Sequence, residues 1–273
     1  MEFYDATGAA VVLPTAPRRI VSLIPSITET LFALGAGPAV AGCTVYCTEP
    51  AEGVSTKARV GGEKNPKLDV IRALGADLVI ANVEENLREH VETLRGWGIP
   101  VYVTYPRTVV QGIRLVGALG AVIGLPEQGK AMAAALEAAL DGVRRRLAGA
   151  PAHRVFYPIW RQPWMSVNGD TYVHDMLAVC GGDNVFDHAA TRYPEVTLEE
   201  VARAAPDVIL LPDEPYRFRP AHVADFDACV GAPAVRKRRI HLIDGKLATW
   251  YGPRIAEALE KLPGFIAGEG ERR

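Results

Sequence analysis

Leu68-Asp69-Val70-Ile71-Arg72-Ala73-Leu74-Gly75-Ala76-Asp77-Leu78-Val79-Ile80-Ala81 lines up without a gap on Leu198-Glu199-Glu200-Val201-Ala202-Arg203-Ala204-Ala205-Pro206-Asp207-Val208-Ile209-Leu210-Leu211, at an offset of 130 positions. Each copy reads as an acid-led helix, a turn holding an Asp, and a short apolar run of the kind that forms a buried parallel strand. A weaker echo pairs Glu29-Thr30-Leu31-Phe32-Ala33-Leu34-Gly35 with Asp175-Met176-Leu177-Ala178-Val179-Cys180-Gly181. Similar units in both halves imply two lobes of one α/β architecture, with a ligand cleft expected where the lobes face each other.

Outward from these copies, strand-like and helix-like segments alternate. Phe3 to Leu13 suits a small hairpin, and Arg19 to Leu23 a buried strand. Ser26 followed by Glu29 has the spacing of a capping box. Leu87 to Trp97 then reads as helix and Val101 to Thr104 as strand, so the expected class is parallel sheet flanked by helices. Pro126 to Leu147 differs: it is rich in Ala, Leu, Glu and Arg, with no further Pro and only Gly129 and Gly142. That composition predicts one helix of about 33 Å, long enough to join two lobes. Gly149 and Pro151 end it. The expected organisation is an N-terminal lobe over 1–125, a bridging helix over 126–149 and a C-terminal lobe over 150–273.

Composition excludes several classes. Apolar residues make up 49% and charged residues 23%, so the chain can bury a core without a partner. A net charge of -2, with basic runs only at Arg144-Arg145-Arg146 and Arg236-Lys237-Arg238-Arg239, offers no field for nucleic acid. No run reaches the ~18 apolar residues of a membrane span. Met1-Glu2-Phe3-Tyr4-Asp5 has neither a basic head nor an apolar signal core. Two locations stay open: the periplasm or cell surface if a leader has been removed, or the cytoplasm. Cys43 and Cys47 form a C-x3-C pair without the second pair or the histidines of a zinc site. With Cys180 and Cys229 they read as structural thiols or as one unassigned disulfide.

Catalytic patterns are missing. There is no G-x-x-x-x-G-K-[ST], no G-x-S-x-G and no H-E-x-x-H, so neither a catalytic residue nor a resident cofactor or metal is expected. Aromatic residues stand instead among Pro and Gly in presumed loops: Tyr46, Trp160, Trp164, Tyr193, Trp250 and Tyr251. Flat rings with few rotors suit a bulky apolar ligand, and these six are the candidate ligand-binding residues.

Several stretches together resemble the cobalamin-binding proteins of ABC importers, within the helical-backbone metal-receptor group (class III) of periplasmic binding proteins. They are Arg18 to Leu31, Val60-Gly61-Gly62 with Asn65 to Asp69, Ala76 to Ile80, Gly181 to Phe186, and Tyr193-Pro194-Glu195-Val196. The resemblance implies two α/β lobes on one rigid helix, acting as a monomer that captures a corrinoid such as vitamin B12 and delivers it to the importer's membrane subunits. It also implies that Asp69 and Glu199, equivalent in the duplicated segments, dock onto arginines of a two-fold symmetric partner. Cobalamin binders of the group often carry tryptophan where Tyr193 stands and another near Asn82, while their relatives take iron-siderophores or haem. For haem, the iron-facing residues would be Tyr46, Tyr193 or His174. A reading of another class is a cytoplasmic corrinoid-handling or redox enzyme using the cysteines.

Overall fold

Ile20–Ser22, Leu78–Asn82 and Val101–Thr104 are buried along their whole length, as expected of strands covered on both faces. The computed structural model describes residues 1–268 and places these strands in a five-stranded parallel sheet. Its order runs Ala58–Arg59, Val40–Cys43, Ile20–Ser22, Leu78–Asn82, Val101–Thr104. Val21, Val79 and Val101 on one face pack with Ile71, Val91 and Leu94 from the covering helices. The expected hairpin forms between Glu2–Tyr4 and Ala10–Val12. A second parallel sheet, of four strands, orders Gly182–Asn184, His153–Phe156, Val208–Pro212 and Ile240–Ile243. Its core centres on Phe156, Ile209 and Leu211 against Val201 and Phe226.

The chain divides into two compact units. One holds Met1–Pro106, Val110–Leu136 and Tyr251–Pro253; the other holds Arg107–Val109, Glu137–Trp250 and the residues from Arg254 onward. The Pro126–Leu147 helix is continuous, and its residues pass from the first unit to the second at Leu136 and Glu137. Within the first unit its glycine has a packing reason: a Cβ on Gly129 would lie 2.8 Å from Gly120 Cα and 3.1 Å from the Val116 carbonyl oxygen. The two backbones touch, and only glycine fits.

The duplicated segments carry the same elements at the same spacing. Helices Leu68–Ala73 and Leu198–Ala204 lead to strands Leu78–Asn82 and Val208–Pro212. Both copies close with one latch. Asp77 accepts from the backbone N–H groups of Arg18 and Arg19 at 2.8 and 2.9 Å, and its own N–H donates to the Arg19 carbonyl at 3.1 Å. Asp207 accepts from the Arg154 N–H at 3.1 Å and donates to the Arg154 carbonyl at 2.8 Å. The guanidinium groups of Arg19 and Arg154 then bond the carbonyls of Leu74, the C-cap of the first helix, and Ala204, the last residue of the second, which would otherwise be orphaned. The residues that follow, Gly75 and Ala205, are both left-handed, with φ of 61° and 48°. The weaker echo has the same ending, since helices Pro25–Ala33 and Tyr172–Val179 are each followed by a positive-φ glycine, Gly35 and Gly181.

One local expectation fails. Ser26 does not cap its helix, because the helix begins two residues earlier than such a cap requires, with Ile24 at the N-cap and Pro25 in the first turn. Proline's fixed φ suits that position, and Ser26 is left inside the helix with no capping role. The true capping box is Thr197 with Glu200, at the head of the second duplicated helix.

Candidate functional site

Ligands of open parallel sheets bind outside the carboxyl ends of the strands, so the candidate residues are those at that end of each unit. In the first unit, Val40–Cys43 runs into the turn Thr44-Val45-Tyr46-Cys47. Tyr46 stands 60% exposed on it. The Val45 N–H donates to the Gly61 carbonyl at 2.9 Å, and a Cβ on Gly62 would come within 3.1 Å of Tyr46 Cε2, so the Gly61-Gly62 loop is the floor beneath that ring. The next strand ends at Asn82, whose buried amide organises the rim. Its Nδ2 donates to Thr104 Oγ1 at 3.2 Å and to the Tyr251 hydroxyl at 3.1 Å, and its Oδ1 accepts from the Glu84 N–H at 2.8 Å. Asn86 accepts from the Asn82 N–H and donates to the Glu63 carbonyl, tying the two loops together. Asn82 therefore fixes this rim from beneath.

In the second unit, Ile159 and Trp160 pair with Met165 through backbone bonds of 2.8 and 3.2 Å, turning the chain after strand His153–Phe156. Trp160 is 43% exposed and meets Tyr216 edge-on at 5.4 Å. The bidentate pair of Arg161 with Asp225, at 2.7 and 3.0 Å, holds this turn. Pro194 accepts from the Ser166 N–H at 2.9 Å, which carries Tyr193, 42% exposed, alongside the same segment.

The other three predicted rings have structural places. Trp164, partly buried, stacks on Phe218 at 5.8 Å and also meets Phe226, against the second unit's core. Trp250 is only 6% exposed, beside the Glu214 carboxyl and covered by the cations of Lys246 and Arg254. Tyr251 is 8% exposed, with its hydroxyl held by Asn82. Tyr216, which the sequence did not single out, is partly buried against the second core and supports Trp160 edge-on.

Carboxylates gather at both strand ends. Burial pushes the Glu63 carboxyl above its ordinary range, helped by the nearby charge of Glu85. Burial likewise raises Glu214, against the lowering effect of hydrogen bonds from Thr249 and Trp250. The Tyr157 hydroxyl is fully buried beside Glu214, Asp213 and Asp244, without a hydrogen-bond partner among the described residues. No group of three His, Cys, Asp or Glu among the described residues could hold a metal ion. No described helix is long and apolar enough to cross a membrane.

Residues 20–247 match the family described as periplasmic binding protein, a span that takes in both sheets. The chain belongs to that family. Among curated relatives of this binding protein, the vitamin B12-binding protein of Vibrio campbellii (strain ATCC BAA-1116) is 28% identical over 192 residues, 70% of each chain. Among solved structures, the periplasmic vitamin B12 binding protein BtuF of Vibrio cholerae shares its fold with a TM-score of 0.83 at 23% identity, covering 93% of this chain and 98% of that one. The periplasmic heme-binding protein RhuT from Roseiflexus sp. RS-1 does so with a TM-score of 0.81 at 26% identity, covering 93% and 100%.

Proposed function

We propose that this binding protein captures a corrinoid such as vitamin B12 on its exposed rings and passes it to the membrane subunits of an ABC importer, acting outside the cytoplasmic membrane, as a monomer and without catalysis. The observation that carries the reading is the placement of Tyr46, Trp160 and Tyr193. All three are exposed on loops beyond the carboxyl ends of parallel strands, where a ligand's flat faces can stack on them. The chemistry around them favours a corrinoid. The corrin rim carries amides, which donate hydrogen bonds, and the strand ends offer the carboxylates of Glu63, Glu84, Asp213 and Asp244 as acceptors. The propionates of haem would meet like charge there.

Asp69 and Glu199 are each the second residue of a duplicated helix, and each is exposed within its own unit. They are proposed as the contacts to arginines of a symmetric membrane partner. The same positions also favour the helix dipole.

Stacking on one ring is worth about 1–3 kcal/mol, so Tyr46→Ala and Trp160→Ala are each expected to weaken cyanocobalamin binding by roughly 5- to 150-fold in calorimetric titration. Unchanged affinity in both variants would remove these rings from the site. The likeness to a heme-binding structure and the exposure of Tyr46 and Tyr193 favour haem as the second reading, which predicts that the Soret band of haemin shifts and sharpens on titration with the protein. His174 suits that role less, since its Nδ1 is buried.

A further inference from the structure

Beneath the turn that carries Tyr46 lies a pair of sulfurs that ligand capture does not use. Cys43 ends its strand fully buried, Cys47 closes the turn at 1% exposure, and the two pack in one buried cluster with Val54. Cys47 Sγ lies 3.1 Å from Thr28 Oγ1 and 3.2 Å from Thr44 Oγ1. Arg59 brings its guanidinium 3.3 Å from Cys43 Sγ and donates to the carbonyls of Thr44 and Cys47, both at 2.9 Å. Two sulfurs, two hydroxyls and a cation thus share one pocket in the first unit. Cys180 and Cys229 have no cysteine beside them among the described residues; their neighbours are Met176 with the Ala258 carbonyl, and the Leu198 carbonyl.

We propose that Cys43 and Cys47 form a disulfide-forming dithiol site, closed by exchange with an aliphatic disulfide, that staples the Tyr46 turn. Cys47 is the attacking sulfur. Hydrogen bonds from Cys43, Thr28 and Thr44 outweigh burial and hold its thiol down to about 7, whereas the bond to Cys47 and burial push Cys43 up. Cys47 is shielded in the folded chain, so attack requires the turn that carries the exposed Val45 and Tyr46 to open, breaking the 3.3 Å bond from the Cys47 N–H to the Thr44 carbonyl. The Cys47 thiolate attacks one sulfur of the oxidant, forming a mixed disulfide and expelling the other sulfur as a thiolate. Cys43 then loses its proton and displaces the second oxidant thiolate, giving the Cys43–Cys47 bond. One disulfide is reduced to two thiols and one dithiol is oxidised.

The folded, reduced protein is exposed to glutathione disulfide at neutral pH, acid-quenched, alkylated in denaturant and digested with trypsin. Both cysteines fall in the peptide spanning 20–57. That peptide is expected to lose two alkylation sites together, at least ~10-fold faster than Cys180, whose thiol burial pushes up to about 12. In Cys43→Ser a glutathione adduct should be trapped on Cys47, while Cys47→Ser should leave Cys43 alkylated. A 20–57 peptide that stays doubly alkylated, or one oxidised no faster than Cys180, would overturn the proposal. The wild-type measurement requires neither variant to fold and no corrinoid to bind.

Discussion

Replacing Ala205 by glycine is expected to stabilise the protein, and the reason lies in the duplication. Gly75 and Ala205 occupy the same place in their copies, directly after a helix whose last carbonyl is bonded by an arginine, and both are left-handed. For an L-residue with a Cβ, that conformation costs roughly 1–2 kcal/mol, and glycine avoids it. Glycine also gains freedom in the unfolded chain, which takes back about 0.5–1 kcal/mol. Ala205→Gly should therefore gain about 0.5–1 kcal/mol. Gly75→Ala should lose about as much, because a Cβ there meets only Arg19 Nε at 3.6 Å, an ordinary contact. In a chain this long these changes correspond to shifts of about 1–4 °C in the unfolding midpoint, opposite in sign, measurable by circular dichroism. If Ala205→Gly lowers the midpoint, or Gly75→Ala leaves it unchanged, the left-handed turn is not the strained element described.

Glu214 should make stability depend on pH. Burial raises its carboxyl in the folded protein above the ordinary 4.5, so the folded form keeps a proton that the unfolded form has released, and stability falls as pH rises through that window. Glu214→Gln removes the fall: its unfolding midpoint relative to wild type should be higher at pH 7 than at pH 4, and equal offsets at both would contradict the buried charge. Charge reversal by Asp69→Lys with Glu199→Lys is expected to abolish uptake through the importer while leaving corrinoid affinity within about twofold. Lost affinity would place those residues in the ligand site instead.

Most of the fold was legible because its determinants are local. Leu78-Val79-Ile80-Ala81 and Val208-Ile209-Leu210-Leu211 are contiguous apolar runs, and their 130-residue spacing shows the duplication directly. The Pro126–Leu147 helix announces itself by composition and by its terminal Pro and Gly. The Ser26 cap was misread because Ser-x-x-Glu satisfies one rule while the preceding proline satisfies another, and proline's stereochemistry decided. The site was only half legible. An aromatic in a Pro- and Gly-rich loop is exposed or packed according to partners distant in sequence: Phe218 for Trp164, Glu214 for Trp250, and Asn82, 169 positions away, for Tyr251. The double arginine latch was likewise hidden, since the aspartates stand out in the aligned copies but Arg19 and Arg154 lie outside them.

Corrinoid capture is tested most directly by incubating the purified protein with cyanocobalamin, removing free ligand by gel filtration, and reading the visible absorbance of the protein peak. Retained red colour at about one corrinoid per chain is expected. A colourless peak, or one that takes up haemin and leaves cyanocobalamin behind, would contradict it.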